Sequence, residues 1–252
     1  MLPLVLAAGA VTVATGRLSG AIRYLLPALL GFVAYVAARQ YVVRFKLPVH
    51  YLPQLDADRL LGAGTVPTVW LEKALYHGHT GPLEVGAMIV YVSHFIVPLV
   101  LATALLVLGR NRELGLLVLS LLVAAVVSEI VFVAFPTAPP WMAAAHGQLT
   151  GVHHILKQTF ADVGLRGIAD SIGDPTKYDV TAAFPSLHVA FPAVFVLVAR
   201  RARLPRPVVV LLWLNLIAVS FAVVYLGEHY VSDVLAGAVV GAASYALVRR
   251  LQ

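Results

Sequence analysis

Two short polar islands interrupt a chain otherwise made of long apolar runs: Pro185-Ser186-Leu187-His188, and Glu228-His229-Tyr230-Val231-Ser232-Asp233. Histidine at bilayer depth is costly and usually serves a function. His229 and Asp233 are four apart, which on a helix stacks them on one face. The carboxylate can then accept a hydrogen bond from one imidazole nitrogen and leave the other neutral, oriented and nucleophilic. Imidazole titrates near ~6.5, so a neutral nucleophile asks for little adjustment. His188 opens a different helix at the same depth and, protonated, can donate to a leaving oxygen. Ser186 and the unfilled N–H groups at that helix start suit phosphate oxygens. These are the parts of a phosphoryl-transfer site. Blander readings exist for each part taken singly. A His–Asp pair also serves as a helix-packing hydrogen bond or a proton relay, and Pro185-Ser186 as an ordinary helix start with a serine cap. His153-His154 reads as a solvated loop pair, His94 as a satisfied core histidine, and Pro136 to Trp141 as a rigid turn. Conjunction favours catalysis: P-S-x-H and H-Y-x-x-D both open helices on one side.

The elements that must position these residues are membrane helices. The 252-residue chain is 60% hydrophobic and 12% charged, against ~45–50% and ~25% in soluble proteins. Its mean hydropathy is +0.89. With no cysteine, disulfides, thiolate catalysis and Cys-ligated metals are excluded. The net charge of +6 is not gathered into a nucleic-acid-binding face, so no nucleic-acid partner is expected. The abundance of arginine over lysine suits a bacterial source.

Six spans of membrane length are expected, at 24–43, 83–108, 114–135, 186–200, 207–226 and 231–249. The apolar stretch 2–15 is a candidate for a seventh, short span. It either lies in the interface or extends the first helix, and it lacks the basic flank and cleavage site of a signal peptide. The fold class is therefore an all-α integral membrane bundle of six transmembrane helices, one domain over 1–252 with 1–20 unassigned. Arg110 and Arg112, the group Arg200, Arg201, Arg203 and Arg206, and the pair Arg249 and Arg250 face the cytoplasm by the positive-inside rule. Arg39, Arg44 and Lys46 run against that orientation. All nine histidines, and every acidic residue except Glu113, then fall on the outer side. Two long outer loops, 45–82 and 136–184, are expected to form a lid with interfacial helices, one beginning at Val66-Pro67.

The segments Phe184 to His188, Tyr225 to Asp233 and Phe135 to Trp141, supported by Asp56 to Pro67 and Ser93-His94-Phe95, resemble the PAP2 superfamily (type-2 phosphatidic acid phosphatases). Within it, they resemble the branch of inositol phosphorylceramide synthases and related lipid phosphotransferases. The resemblance covers roughly 45–240. It implies His229 as a nucleophile forming a phosphohistidine, Asp233 orienting it, and His188 protonating the leaving alcohol and later activating the acceptor. It implies Ser186 on the phosphate, His94 among the substrate-binding residues, and no metal or other cofactor. The phosphatase branch has arginine where this chain has Val223, and serine where it has Ala222. Its first basic motif is missing at the usual spacing, and Lys157 and Arg166 stand in for it. The second motif reads Ser-Leu-His rather than Ser-Gly-His. These departures point to the transferase branch.

The expected activity is cleavage of a lipid or lipid-linked phosphate ester with transfer to an alcohol, a polyol such as inositol. The site would face the outer side of a bacterial plasma membrane. Hydrolysis of a lipid phosphate, of phosphatidic acid or polyprenyl phosphate type, is the alternative. A proton-coupled transporter with a His–Asp relay is the rival from another class, although the broken helices or paired halves such a protein would show are not visible.

Overall fold

A computed structural model of the chain describes residues 48–172, 174 and 180–252, together with part of 22–37. The described part of 22–37 is helical and mostly exposed, so only the first portion of the expected span 24–43 is seen. Residues 2–15, Arg39, Arg44, Lys46 and Lys177 lie outside the described residues.

Every element among the described residues is helical. In chain order they are α1 (Leu52–Leu61), α2 (Pro67–Leu75), α3 (Pro82–Val107), α4 (Asn111–Ala134), α5 (Pro140–Ala145), α6 (Ile155–Asp162), α7 (Arg166–Ala169), α8 (Leu187–Arg201), α9 (Arg206–Tyr225) and α10 (Val231–Leu251). Proline at the first turn starts several of them, where its missing N–H costs nothing. Glu84 caps α3 by accepting the Gly81 N–H at 2.7 Å.

Four helices, α3, α4, α9 and α10, are long and apolar enough to cross a membrane. Less than half of each is buried inside the protein. The rest presents Ile89, Val100, Ile130, Leu211, Ile217 and Val239 outward, as a hydrocarbon solvent requires. The expected span 186–200 is different in kind. As α8 it has 15 residues, about 22 Å at 1.5 Å per residue, short of a ~30 Å hydrocarbon core. It is also the central helix: Val189, Ala190, Val194, Phe195, Val196, Val198 and Ala199 are all buried, and it packs against α3, α4, α9 and α10. Its neighbours wrap it, so it need not match the bilayer by its own length.

Two apolar clusters hold the bundle. One, around Leu105, Leu114, Leu117, Phe195 and Val198, joins α3, α4, α8, α9 and α10 at the arginine-rich end. The other, around Tyr91, Ile155, Leu156, Val223 and Tyr225, docks α6 onto α3 and α9 at the opposite end. The long loops carry α1 and α2, and α5 to α7. The helix begun by Val66-Pro67 is α2.

Candidate active site

The residues of the two islands meet because α8 and α10 come unusually close. A Cβ at Gly237 would lie 2.2 Å from the Ser186 carbonyl oxygen, and one at Gly241 would lie 2.2 Å from that of Ala190. Only glycine permits that approach, which is the small-xxx-small logic of membrane helix packing. Just above this seam the Ser186 N–H donates to the Asp233 carbonyl at 3.1 Å, so a backbone bond joins the two motifs.

His229 stands outside α10, two residues before its first, so the helical spacing that suggested a pairing with Asp233 does not apply. The turn itself fixes it. Gly227 is left-handed (φ +76) and a Cβ there would press to 2.9 Å from the His153 carbonyl, so glycine alone fits. The Val223 carbonyl then accepts the N–H groups of both Glu228 and His229 at 3.0 Å. The His229 ring is 2.8 Å through Nδ1 from the Ala183 carbonyl and 3.5 Å from Asp233 Oδ2. A carbonyl can only accept, so Nδ1 carries the proton and Nε2 keeps its lone pair. That nitrogen faces His188 Nδ1 at 3.3 Å. Asp233, completely buried, accepts the Tyr230 N–H through Oδ2 at 2.8 Å. Its carboxylate thus caps α10 and supports the imidazole electrostatically, while a backbone carbonyl fixes the tautomer.

Ala183 is held in place by three extended segments lying side by side. His50 N–H donates to Pro136 O (2.8 Å), Ala138 N–H to His50 O (3.0 Å), and Thr137 N–H to Thr181 O (2.8 Å). The His50 ring stacks on Phe135 with centroids 4.1 Å apart. The proline-rich stretch expected as a mere turn is therefore the middle rail of this ledge.

His188 is the half-buried member of the pair, stacked on Tyr91 at 4.3 Å. Its ring lies 4.5 Å from that of His94, which itself stacks on Phe191. His94 is 8% exposed, and its Nδ1 has no hydrogen-bond partner among the described residues; it lines the site beside His188 instead of being a satisfied core histidine. Ser186 Oγ is buried and likewise without a described partner. Lys157 on α6 and Arg166 on α7 are both exposed. No described contact brings either to the histidines.

Other residues of the site have no signal in the local sequence. Asp58 of α1 is fully buried and accepts the Val231 and Ser232 N–H groups at 2.8 Å each. Burial pushes its carboxyl above the ordinary range, against the lowering effect of those amides. Arg59 turns away to Asp56 at 3.0 Å. His153 is exposed, as a solvated loop residue would be, and His154 is half-buried, but each ring also meets a different glutamate. His153 donates its N–H to Glu72 Oε2 at 2.8 Å, with Nδ1 at 2.9 Å from the same oxygen. His154 Nε2 lies 3.1 Å from Glu228 Oε1, and its ring stacks on Trp141 at 4.1 Å. The Trp141 N–H donates to Gly227 O at 3.0 Å. Residues 141–154 are thus fastened to α2 and to the turn that carries His229.

A helical membrane protein with two facing histidines, one of them tautomer-fixed, at one end of its bundle is the class these features define. The PAP2 superfamily model matches residues 55–247, and the chain belongs to that superfamily. No curated protein and no solved structure matches it. Membership goes with lipid phosphate chemistry of the phosphatase or phosphotransferase type.

Proposed function

We propose that the chain cleaves a lipid or lipid-linked phosphate ester through a phosphohistidine and passes the phospho-group to an alcohol. The observation that carries this reading is the His229 imidazole, with its Nδ1 proton on Ala183 O and its Nε2 facing His188 Nδ1 at 3.3 Å. Nε2 attacks phosphorus; a P–N bond forms as the P–O bond to the lipid alcohol breaks. His188 delivers its proton to the departing oxygen. In the second half the acceptor alcohol loses its proton to His188, its oxygen attacks phosphorus, and the P–N bond breaks. Asp233 stabilises the positive charge that His229 acquires. Ser186 Oγ and the His94 ring contact the phosphate, and Lys157 and Arg166 neutralise it after the loops close as a lid. The chemistry is complete without a metal.

Transfer is preferred over hydrolysis because the position at which the phosphatase branch has arginine is Val223, which is fully buried. Hydrolysis remains the second reading, since water can resolve the same intermediate. In this proposal the bundle crosses a bacterial plasma membrane six times, counting 24–43 and α8, with the histidines on the extracytoplasmic side.

The test is incubation of the purified chain with a phosphorus-labelled phospholipid in EDTA, with and without inositol or other alcohols, followed by product analysis. Label moving onto the alcohol supports transfer. Label released only to water, whatever alcohol is present, replaces transfer by hydrolysis. Absence of any lipid cleavage removes the enzyme reading.

A further inference from the structure

Helix starts leave their first amides without intrahelical partners, and the capping side chain ordinarily answers them. At α10 the capping position is Tyr230, which makes no side-chain cap bond. Two carboxylates answer instead. Asp233 takes the Tyr230 N–H at 2.8 Å, and Asp58 takes those of Val231 and Ser232 at 2.8 Å each. The three consecutive amides after His229 all end on buried carboxylate oxygens. Because the His229 N–H is itself bound to Val223 O at 3.0 Å, the main chain is pinned on both sides of the ring.

Asp58 comes from 173 residues away, on a helix whose Leu52, Leu60 and Leu61 are largely exposed. The buried residues of α1 are Gln54, Leu55 and Asp58. The carboxylate is thus the polar contact through which α1 meets α10. Charge-assisted bonds to amides at a helix N-terminus are among the stronger hydrogen bonds. They also occupy the α10 amides, so a phosphate has to be received elsewhere, at Ser186 and the start of α8.

We infer that Asp58 is a positioning residue for His229: its buried carboxylate, carried by α1, holds the first two amides of α10 and so fixes the turn from which the imidazole projects. The inference rests on His229 being the nucleophile. The groups facing His229 are His188 from α8, His94 from α3 and Asp233 from α10.

The experiment compares Asp58→Asn, Asp58→Glu and His229→Ala as full-length purified chains, with rates on a labelled phospholipid normalised to folded protein by gel filtration and melting. Asn keeps the shape but turns an NH2 group onto an amide N–H. The expected result for Asp58→Asn is a kcat reduced ~10–100-fold with KM within about threefold, as for a misplaced reacting group. A role confined to folding would leave kcat per folded molecule unmoved. If Asp58→Asn does not fold, Asp58→Glu decides: the charge is kept, the extra methylene displaces the turn, and kcat should still fall severalfold. An inactive His229→Ala beside a deciding Asp58 variant of wild-type kcat per folded molecule overturns this inference alone. An active His229→Ala overturns the mechanism beneath it.

Discussion

Gly237→Ala is the sharpest probe of how the fold builds the site, because it adds one methyl group and leaves every reacting side chain unchanged. The new Cβ would stand 2.2 Å from the Ser186 carbonyl oxygen, where ordinary contact begins at 3.4 Å. The obstacle is backbone, so no side-chain rotation relieves it; α8 and α10 must part by about 1.2 Å, the difference between those distances. His188 rides on α8 and His229 on the turn into α10, now 3.3 Å apart. A misplacement of ~1 Å at reacting groups costs ~10²-fold in rate. Overpacking a tight seam costs ~1–3 kcal/mol in stability. Gly86 on α3 is the control, since a Cβ there meets nothing within 4 Å and alanine should be neutral or slightly stabilising in a helix. Initial rates on a labelled phospholipid, per folded molecule, should fall ~10²-fold for Gly237→Ala and stay at wild-type level for Gly86→Ala. A Gly237→Ala enzyme within threefold of wild type would refute the idea that this seam sets the histidine geometry.

Three further outcomes are expected. Asp233→Asn should lose ~10²-fold in kcat, less than the ~10⁴-fold of triad enzymes, because the Ala183 carbonyl already fixes the His229 tautomer; a 10⁴-fold loss would show that the carboxylate, not Ala183, governs the ring. Glu72 is held up at about 7 by burial, against the bonds from His153. A carboxyl raised in the fold contributes stability that is whole below its ordinary 4.5 and is lost as pH climbs to about 7, worth about 3 kcal/mol at most. The melting temperature should therefore fall between pH 5 and 7.5 in the wild type and flatten in Glu72→Gln, and an equal slope in both would reject the assignment. Lys157→Gln with Arg166→Gln should raise KM at least ~10-fold with little change in kcat; unchanged kinetics would mean that the phosphate finds its cations elsewhere.

The polar islands were legible because buried histidines stand out in an apolar chain, and His188, His229 and Asp233 do come together. The helical route that the spacing suggests is not the one used: His229 precedes α10, and its Nδ1 meets a backbone carbonyl, which has no sequence signature. Asp58 was hidden for a related reason, since its partners are amides 173 and 174 residues away. The glutamates that His153 and His154 meet are far along the chain, on α2 and in the turn that carries His229, so sequence shows only a loop pair. Gly237-Ala-Val-Val-Gly241 carries a sequence signal for the seam, since glycines four apart in an apolar helix mark a close helix contact. Four long apolar helices were plain from hydropathy. The central α8 reads as an ordinary span because its apolar sequence is the same whether lipid or protein surrounds it.

The central claim is that His229 carries the phospho-group, and trapping it is the most direct test. Enzyme mixed with a phosphorus-labelled phospholipid is quenched in alkali within a turnover, digested, and the labelled peptide sequenced. Phosphohistidine survives alkali and is lost in acid. The account predicts alkali-stable, acid-labile label on His229 Nε2, absent in His229→Ala. Label on another residue, or turnover with no protein-bound label at any quench time, would contradict it.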